Sequence, residues 1–314
     1  MTATATPDLA AITERMRSTW ASGDYAVVGG RISITSEHLV DAADLRSGDR
    51  VLDVAAGSGN ASLAAARAGC DVTGVDFVPT LLERARIRAT AEGLPATFTE
   101  GDAQALPFED GSFDASLSVF GVMFAPDQEA CAREMARVTR SGGTIALANW
   151  TPDGFVGDLL RTVSGHVPPP PGIRPGVQWG DEGRLTELFG DTASSIRSTR
   201  RNYVFRYPSA DAFIDEFRRF YGPVHKAFGA VGDGAEALTE DLRATIAAHD
   251  RRPDETPIAV TAAYLETVRW TDPHKPSHER FYRRLGYAIS EVVPMTDEWE
   301  VLTMSRPSRP VATS

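Results

Sequence analysis

The segment Val51-Leu52-Asp53-Val54-Ala55-Ala56-Gly57-Ser58-Gly59-Asn60 carries an apolar run straight into a glycine turn. A strand that passes through such a turn into a helix lets a ligand approach the backbone closely at the carboxyl end of a sheet. Asp76 closes the next apolar run, 17 residues beyond Gly59, where a carboxylate can accept from both hydroxyls of a ribose. Dinucleotide binders usually add a third glycine, in G-x-G-x-x-G, to seat a pyrophosphate on the helix N-terminus. Here the third position is Ser62. Asp53 beside the turn is poor company for a pyrophosphate and good company for a cationic amino group, such as that of a methionine moiety. A ligand-free strand–helix turn is the bland explanation, and the acid at the end of the second strand weighs against it.

The elements that must position these residues alternate with little waste. Strands are expected at 50–55, 71–76, 96–100, 113–119 and 144–149, with helices at 60–68, 79–92 and 127–138. Pro79 opens the second of these helices and Gly93 stops it. Short apolar strands separated by helices of this length predict a parallel sheet with helices on both faces. Two further helices, 8–22 and 32–46, precede the first strand. After Trp150 the rhythm changes, and Pro168 to Pro171 rule out a helix or central strand there. That stretch reads as an insertion whose stiff proline run suits a lid or pocket wall. A strand at 195–206, helices at 209–228 and 235–249, and a last sheet strand at 258–268 follow. Arg197, Arg200 and Arg201 read as a solvated strand edge.

The first segment resembles the class I S-adenosylmethionine-dependent methyltransferases, in the branch with D-V-x-x-G-x-G-N. Thr73-Gly74-Val75-Asp76, Glu100-Gly101-Asp102-Ala103-Gln104-Ala105-Leu106-Pro107-Phe108, Phe113-Asp114 with Ser116 to Phe120, and Arg140-Ser141-Gly142-Gly143 resemble further motifs of that family. Trp20 and Gly23-Asp24-Tyr25 resemble its N-terminal segment that folds over the cofactor. The resemblance spans about Trp20 to Val268. It implies a Rossmann-like methyltransferase fold: α/β, doubly wound, with a mostly parallel seven-stranded sheet. A helical N-terminal cap (1–49), a domain at 50–270 with an insertion at about 151–194, and a small extension (271–314) complete the expected architecture.

The implied cofactor is S-adenosyl-L-methionine, held by Tyr25, Asp53, Ala55, Gly57, Gly59, Asn60, Asp76, Phe77, Asp102, Ala103, Ser118 and Phe120. Asp76 would serve the ribose, Phe77 would lie against adenine, and Asp102 would accept from its exocyclic amine. The bland reading of Trp20 and Tyr25 is helix packing.

The implied reaction is in-line methyl transfer to a small-molecule acceptor. A general base is needed only if the acceptor holds its proton at neutral pH, and no catalytic residue is assigned. The acceptor site is expected between Phe120 to Phe124, the insertion with His166 and the proline run, and the helix carrying Phe217, Tyr221 and His225, with Met123, His166, Tyr221 and His225 as its candidate pocket residues. For His166 and His225 an ordinary surface histidine is the competing reading. The fourth strand lacks the N/D-P-P-Y pattern of enzymes that grip a flipped nucleobase. An NAD-dependent oxidoreductase and a non-catalytic S-adenosylmethionine-binding protein remain the alternatives.

Composition narrows the partners. A net charge of −11 disfavours a surface that tracks phosphates, so nucleic acid is not expected. The apolar run Leu117 to Ala125 is too short to span a bilayer, and the N-terminus lacks the basic and apolar blocks of a secretory signal. Cys70 and Cys131 have neither a disulfide framework nor metal-ligand spacing. No metal is expected, and a reducing cytoplasm fits.

Tyr264-Leu265-Glu266-Thr267 and Phe281-Tyr282-Arg283-Arg284-Leu285-Gly286-Tyr287 resemble the last third of a GCN5-type N-acetyltransferase, with Trp299 to Arg306 as its final strand. The pyrophosphate loop of that family is not found upstream, so a fusion relic or packing element is expected rather than acetyl transfer.

Overall fold

The computed structural model describes residues 8–252, 256–270, 288–296 and 299–305. The chain divides into two units, Met1–Thr271 and Asp272–Ser314.

In the first unit, β1 (Arg50–Val54), β2 (Asp71–Asp76), β3 (Ala96–Glu100), β4 (Phe113–Val119) and β5 (Thr139–Trp150) are joined through α4 (Asn60–Arg67), α5 (Pro79–Glu92) and α6 (Gln128–Val138). Together with β6 (Ser195–Tyr207) and β7 (Ile258–Trp270) they form one seven-stranded sheet, in the order β3-β2-β1-β4-β5-β7-β6. The first five strands are parallel, and β7 runs antiparallel to both β5 and β6. The strand order reverses between β1 and β4, so their carboxyl ends diverge into a crevice, the usual ligand position in such sheets. Val51, Leu52 and Val54 are fully buried in β1, as expected of a strand covered on both faces.

Several boundaries differ from the sequence expectation for local reasons. The helix expected at 209–228 is two helices, α9 (Ala210–Phe220) and α10 (Gly222–Ala230). Pro223 has no N–H to continue the first, and Tyr221 between them is extended. The helix expected at 32–46 is only α3 (Ile34–Ala42), and α2 (Tyr25–Arg31) precedes it as a separate turn. Asp24 caps α2 by accepting from Ala26 N–H. β5 begins earlier than expected, because Phe113 pairs with Thr139 and Ala115 with Thr144, so Arg140–Gly143 bulge from the ladder.

The insertion after β5 is more helical than a proline-stiffened loop, with α7 (Phe155–His166) and α8 (Glu182–Phe189) inside it. Pro168 and Pro169 are exposed. α11 (Ala235–His249) packs on α7 and precedes β7. The aromatics of α9 serve the core: Phe213 and Phe217 stack with centroids 4.0 Å apart and pack edgewise on Phe205 of β6. α1 (Leu9–Trp20) completes the N-terminal helices. β6, with its arginines, lies at the sheet edge.

Tyr264–Thr267, which resemble part of an acetyltransferase tail, lie inside β7 between β5 and β6. The second unit contains an antiparallel pair, β8 (Ala288–Thr296) and β9 (Trp299–Ser305). The tail motif at 281–287 lies outside the described residues. No described helix is long and apolar enough to cross a membrane.

Candidate active site

A cleft of about 910 Å³, open to solvent, lies over the carboxyl ends of β1, β2 and β4. Its floor is the turn after β1. Ala55, Gly57 and Gly59 all have positive φ, at 56°, 55° and 83°. At Ala55 this conformation costs about 1–3 kcal/mol and requires support from its surroundings. That support includes the end of β4: a side chain at Gly121 would come within 2.6 Å of the Ala55 carbonyl, so only glycine fits there. The preceding residue, Phe120, is itself left-handed, with φ 53°. Its ring stacks on Trp150 at 3.9 Å and meets Tyr264 edgewise.

Two buried carboxylates face the cleft. Asp76, 6% exposed, accepts from Gly57 N–H at 2.9 Å and from Val78 N–H at 2.8 Å. Burial pushes its pKa up to about 6, against the opposing backbone N–H bonds and the positive field of Arg17. Asp53, 1% exposed, accepts at Oδ2 from Ser62 N–H (2.8 Å) and from Ser62 Oγ–H (2.6 Å). Burial raises it to about 7, and the two Ser62 bonds offset part of that rise.

The residue standing where a dinucleotide fingerprint has its third glycine thus spends its amide and hydroxyl on a carboxylate. A third acid, Asp102, accepts from the backbone and side-chain N–H groups of Gln104. Gln104 also donates to Thr13 of α1 and accepts from Asp127 N–H ahead of α6.

Ten of the twelve residues expected around the cofactor border this cleft: Tyr25, Asp53, Ala55, Gly57, Asn60, Asp76, Phe77, Asp102, Ala103 and Phe120. Gly59 and Ser118 do not line it. Gly59 faces α5, where a Cβ would come within 2.9 Å of the Ala85 methyl. Ser118 brackets two strand ends, donating to Val54 C=O at 2.7 Å and accepting from Val122 N–H at 3.1 Å.

The four acceptor-pocket candidates sit elsewhere. Met123 is fully buried behind the wall. Tyr221 lies in a second layer, packed on Trp20 and Tyr25. His166 ends α7 and contacts Asp241 of α11 at 2.7 Å. His225 is exposed on α10, with Nδ1 2.9 Å from Arg218 C=O.

Part of the cleft lining is apolar: Trp20, Ile32, Val122, Phe124, Ala125 and Pro126. Trp20 meets Tyr25 and Phe124 edgewise, with centroids 5.3 and 4.8 Å apart. Burial and the nearby Asp76 charge push the Tyr25 hydroxyl far above its ordinary range, so it stays protonated. Of the residues missing from the sequence-derived set, Trp20 had a signal in the N-terminal motif and Gln104 in the Asp102 motif. Phe124 closes the segment expected beside the acceptor, whereas Ala125 and Pro126, which follow it, had no signal of their own.

Residues 52–147 match a methyltransferase domain family. The chain is 46% identical over 225 residues to the uncharacterized protein Rv1403c of Mycobacterium tuberculosis, covering 71% of this chain and 82% of that one. It is 40% identical over 134 residues to a demethylmenaquinone methyltransferase of Thermus thermophilus, covering 41% and 61% of the two chains. Among solved structures, the YcgJ protein of Bacillus subtilis shares the fold with a TM-score of 0.54 at 20% identity, over 75% of this chain and 97% of that one.

Proposed function

We propose that this chain, which belongs to the class I methyltransferase family, transfers the methyl group of S-adenosyl-L-methionine to a small-molecule acceptor. The observation that carries this reading is the buried Asp76 carboxylate, held at the cleft by Gly57 and Val78 N–H beside the open glycine turn.

The side chains present fit the cofactor. Asp76 would accept from the ribose, Phe77 and Ala103 would flank the adenine, and Asp102 would accept from its amine. Asp53 would offset the ammonium of the methionine moiety, a role suited to a buried acid that otherwise bears an uncompensated charge. When bound, the cofactor supplies an activated methyl group. The chain's contribution is then to align the acceptor and exclude water, and near-attack positioning alone can lower a barrier by about 7–11 kcal/mol. Trp20, Phe120, Phe124 and the Tyr25 ring suit an apolar acceptor body. The acidic charge of the chain argues against nucleic acid as that acceptor.

An oxidoreductase using NAD is disfavoured by the missing third glycine at Ser62, which in that fingerprint serves close helix–strand packing, and by Asp53, a carboxylate lining the cleft that would meet a pyrophosphate with like charge. Calorimetric titration with S-adenosylhomocysteine and with NAD separates the readings. Binding of the former alone is expected, and binding of NAD without a response to S-adenosylhomocysteine would overturn the proposal.

A further inference from the structure

Helix α5 borders the cleft only through Leu81, yet two of its arginines reach elements that build the cofactor half. Arg88, half-buried, donates from Nη1 to the Ser58 carbonyl at 2.6 Å and to Asn60 Oδ1 at 2.8 Å. Ser58 is the middle residue of the strained turn, so this bond holds the residue next to Gly57, whose N–H donates to Asp76. Asn60 passes the restraint onward, because its Nδ2–H donates to Gly29 C=O of α2 at 2.7 Å. One helical turn earlier, Arg84 donates to Asp24 Oδ2 at 2.8 Å. Asp24 is the N-cap of α2, and Tyr25, the next residue, lines the cleft. A Cβ built on Gly57 would lie 3.8 Å from the Tyr25 ring, so the turn and the aromatic wall face each other closely. Residues four apart share a helix face. One face of α5 therefore restrains the glycine turn directly and α2 through its N-cap.

We propose that Arg88 and Arg84 are positioning residues that set affinity for S-adenosylmethionine without touching it. Arg88 fixes the turn and Asn60, and Arg84 fixes the start of the helix carrying Tyr25. The inference rests on the methyl-transfer reading and assigns residues that the sequence motifs do not include. Arg88 is the stronger of the two, because it bonds two acceptors from a half-buried position. The Arg84–Asp24 pair is more exposed and screened by salt.

The test measures S-adenosylhomocysteine affinity by calorimetry on the full chain, for wild type, Arg88→Ala, Arg88→Lys, Arg84→Ala and Arg86→Ala. Arg86 is the internal control: it sits on the same helix and donates to Phe98 C=O of β3 rather than to the turn or α2. Arg88→Ala is expected to weaken binding at least about tenfold, the loss typical of a charge-assisted hydrogen bond. Arg88→Lys should fall between that variant and wild type, because a single ammonium cannot reproduce the fork. Arg84→Ala should lose a few-fold in affinity and flatten the dependence of affinity on salt. Arg86→Ala should bind as wild type does.

Asn60→Ala combined with Arg88→Ala should cost less than the sum of the two single losses, since both lie in one chain of bonds. Once an acceptor is in hand, Arg88→Ala should raise KM for S-adenosylmethionine and leave kcat largely unchanged. Equal affinities for folded Arg88→Ala and Arg86→Ala would overturn the proposal, and so would a fall in kcat with KM unmoved. Wild type that fails to bind S-adenosylhomocysteine would instead overturn the methyl-transfer reading itself.

Discussion

Asp53 provides a direct test of whether the site is built at the expense of the fold. Its carboxyl is 1% exposed, and burial carries its pKa from 3.8 to about 7. Between those values the folded chain keeps the proton and the unfolded chain releases it. The contribution of Asp53 to stability therefore falls as pH rises from about 4 to about 7, and is level above that. The displacement is worth on the order of 4 kcal/mol, at about 1.4 kcal/mol for each pH unit.

Asp53→Asn removes the charge and keeps a carbonyl oxygen to accept from Ser62 N–H and Oγ–H. The variant is expected to be more stable than wild type at pH 8 by about 2–4 kcal/mol, allowing for imperfect placement of the new amide. Its advantage should widen by roughly 2–3 kcal/mol between pH 5 and pH 8. Urea unfolding at both pH values measures this, and Asp76, which titrates in both proteins, largely cancels in the comparison. Calorimetry on the same variant should show S-adenosylmethionine binding weakened about tenfold or more, because the ammonium loses its charged partner. A variant less stable than wild type at pH 8, or an advantage that does not change with pH, would refute the reasoning.

Asp76→Ala should weaken S-adenosylhomocysteine binding about tenfold to hundredfold, the value of a charged acceptor for two hydroxyls, as read by calorimetry with a melting curve to confirm folding. Ser62→Ala removes one of the two bonds that hold the Asp53 pKa down. Cofactor affinity in wild type should rise with pH through about 6 to 7 as Asp76 and Asp53 ionise, and a titration series in the variant should show that rise displaced to higher pH. His166→Ala and His225→Ala should leave turnover and cofactor affinity unchanged in a steady-state assay, because neither ring borders the cleft.

The cofactor half of the site was legible because its residues lie within single strand–turn–helix units. Val51 to Asn60 and Thr73 to Asp76 each declare a strand end by local pattern, and the parallel sheet brings those ends together. The acceptor wall was legible only in part, because residues distant in sequence build it: Trp20 and Phe124 each had a local signal, but neither their meeting nor the addition of Ile32 did. The aromatics of α9 were a natural candidate for that wall. Their helical spacing is equally satisfied by core, and Phe205 on the last-placed strand is the partner that claims them.

His166 and His225 stood out as rare residue types, yet which side of α7 or α10 faces the cleft depends on packing that no local pattern records. Ser62 shows the limit most clearly. In sequence it is a glycine that is missing, and it weakens one reading by absence. In the structure it is a donor twice over, and its bonds to Asp53 keep a buried acid near neutrality that would otherwise rise further. The same position therefore argues against a pyrophosphate and for a cationic ligand, and only the geometry of its two bonds connects those arguments.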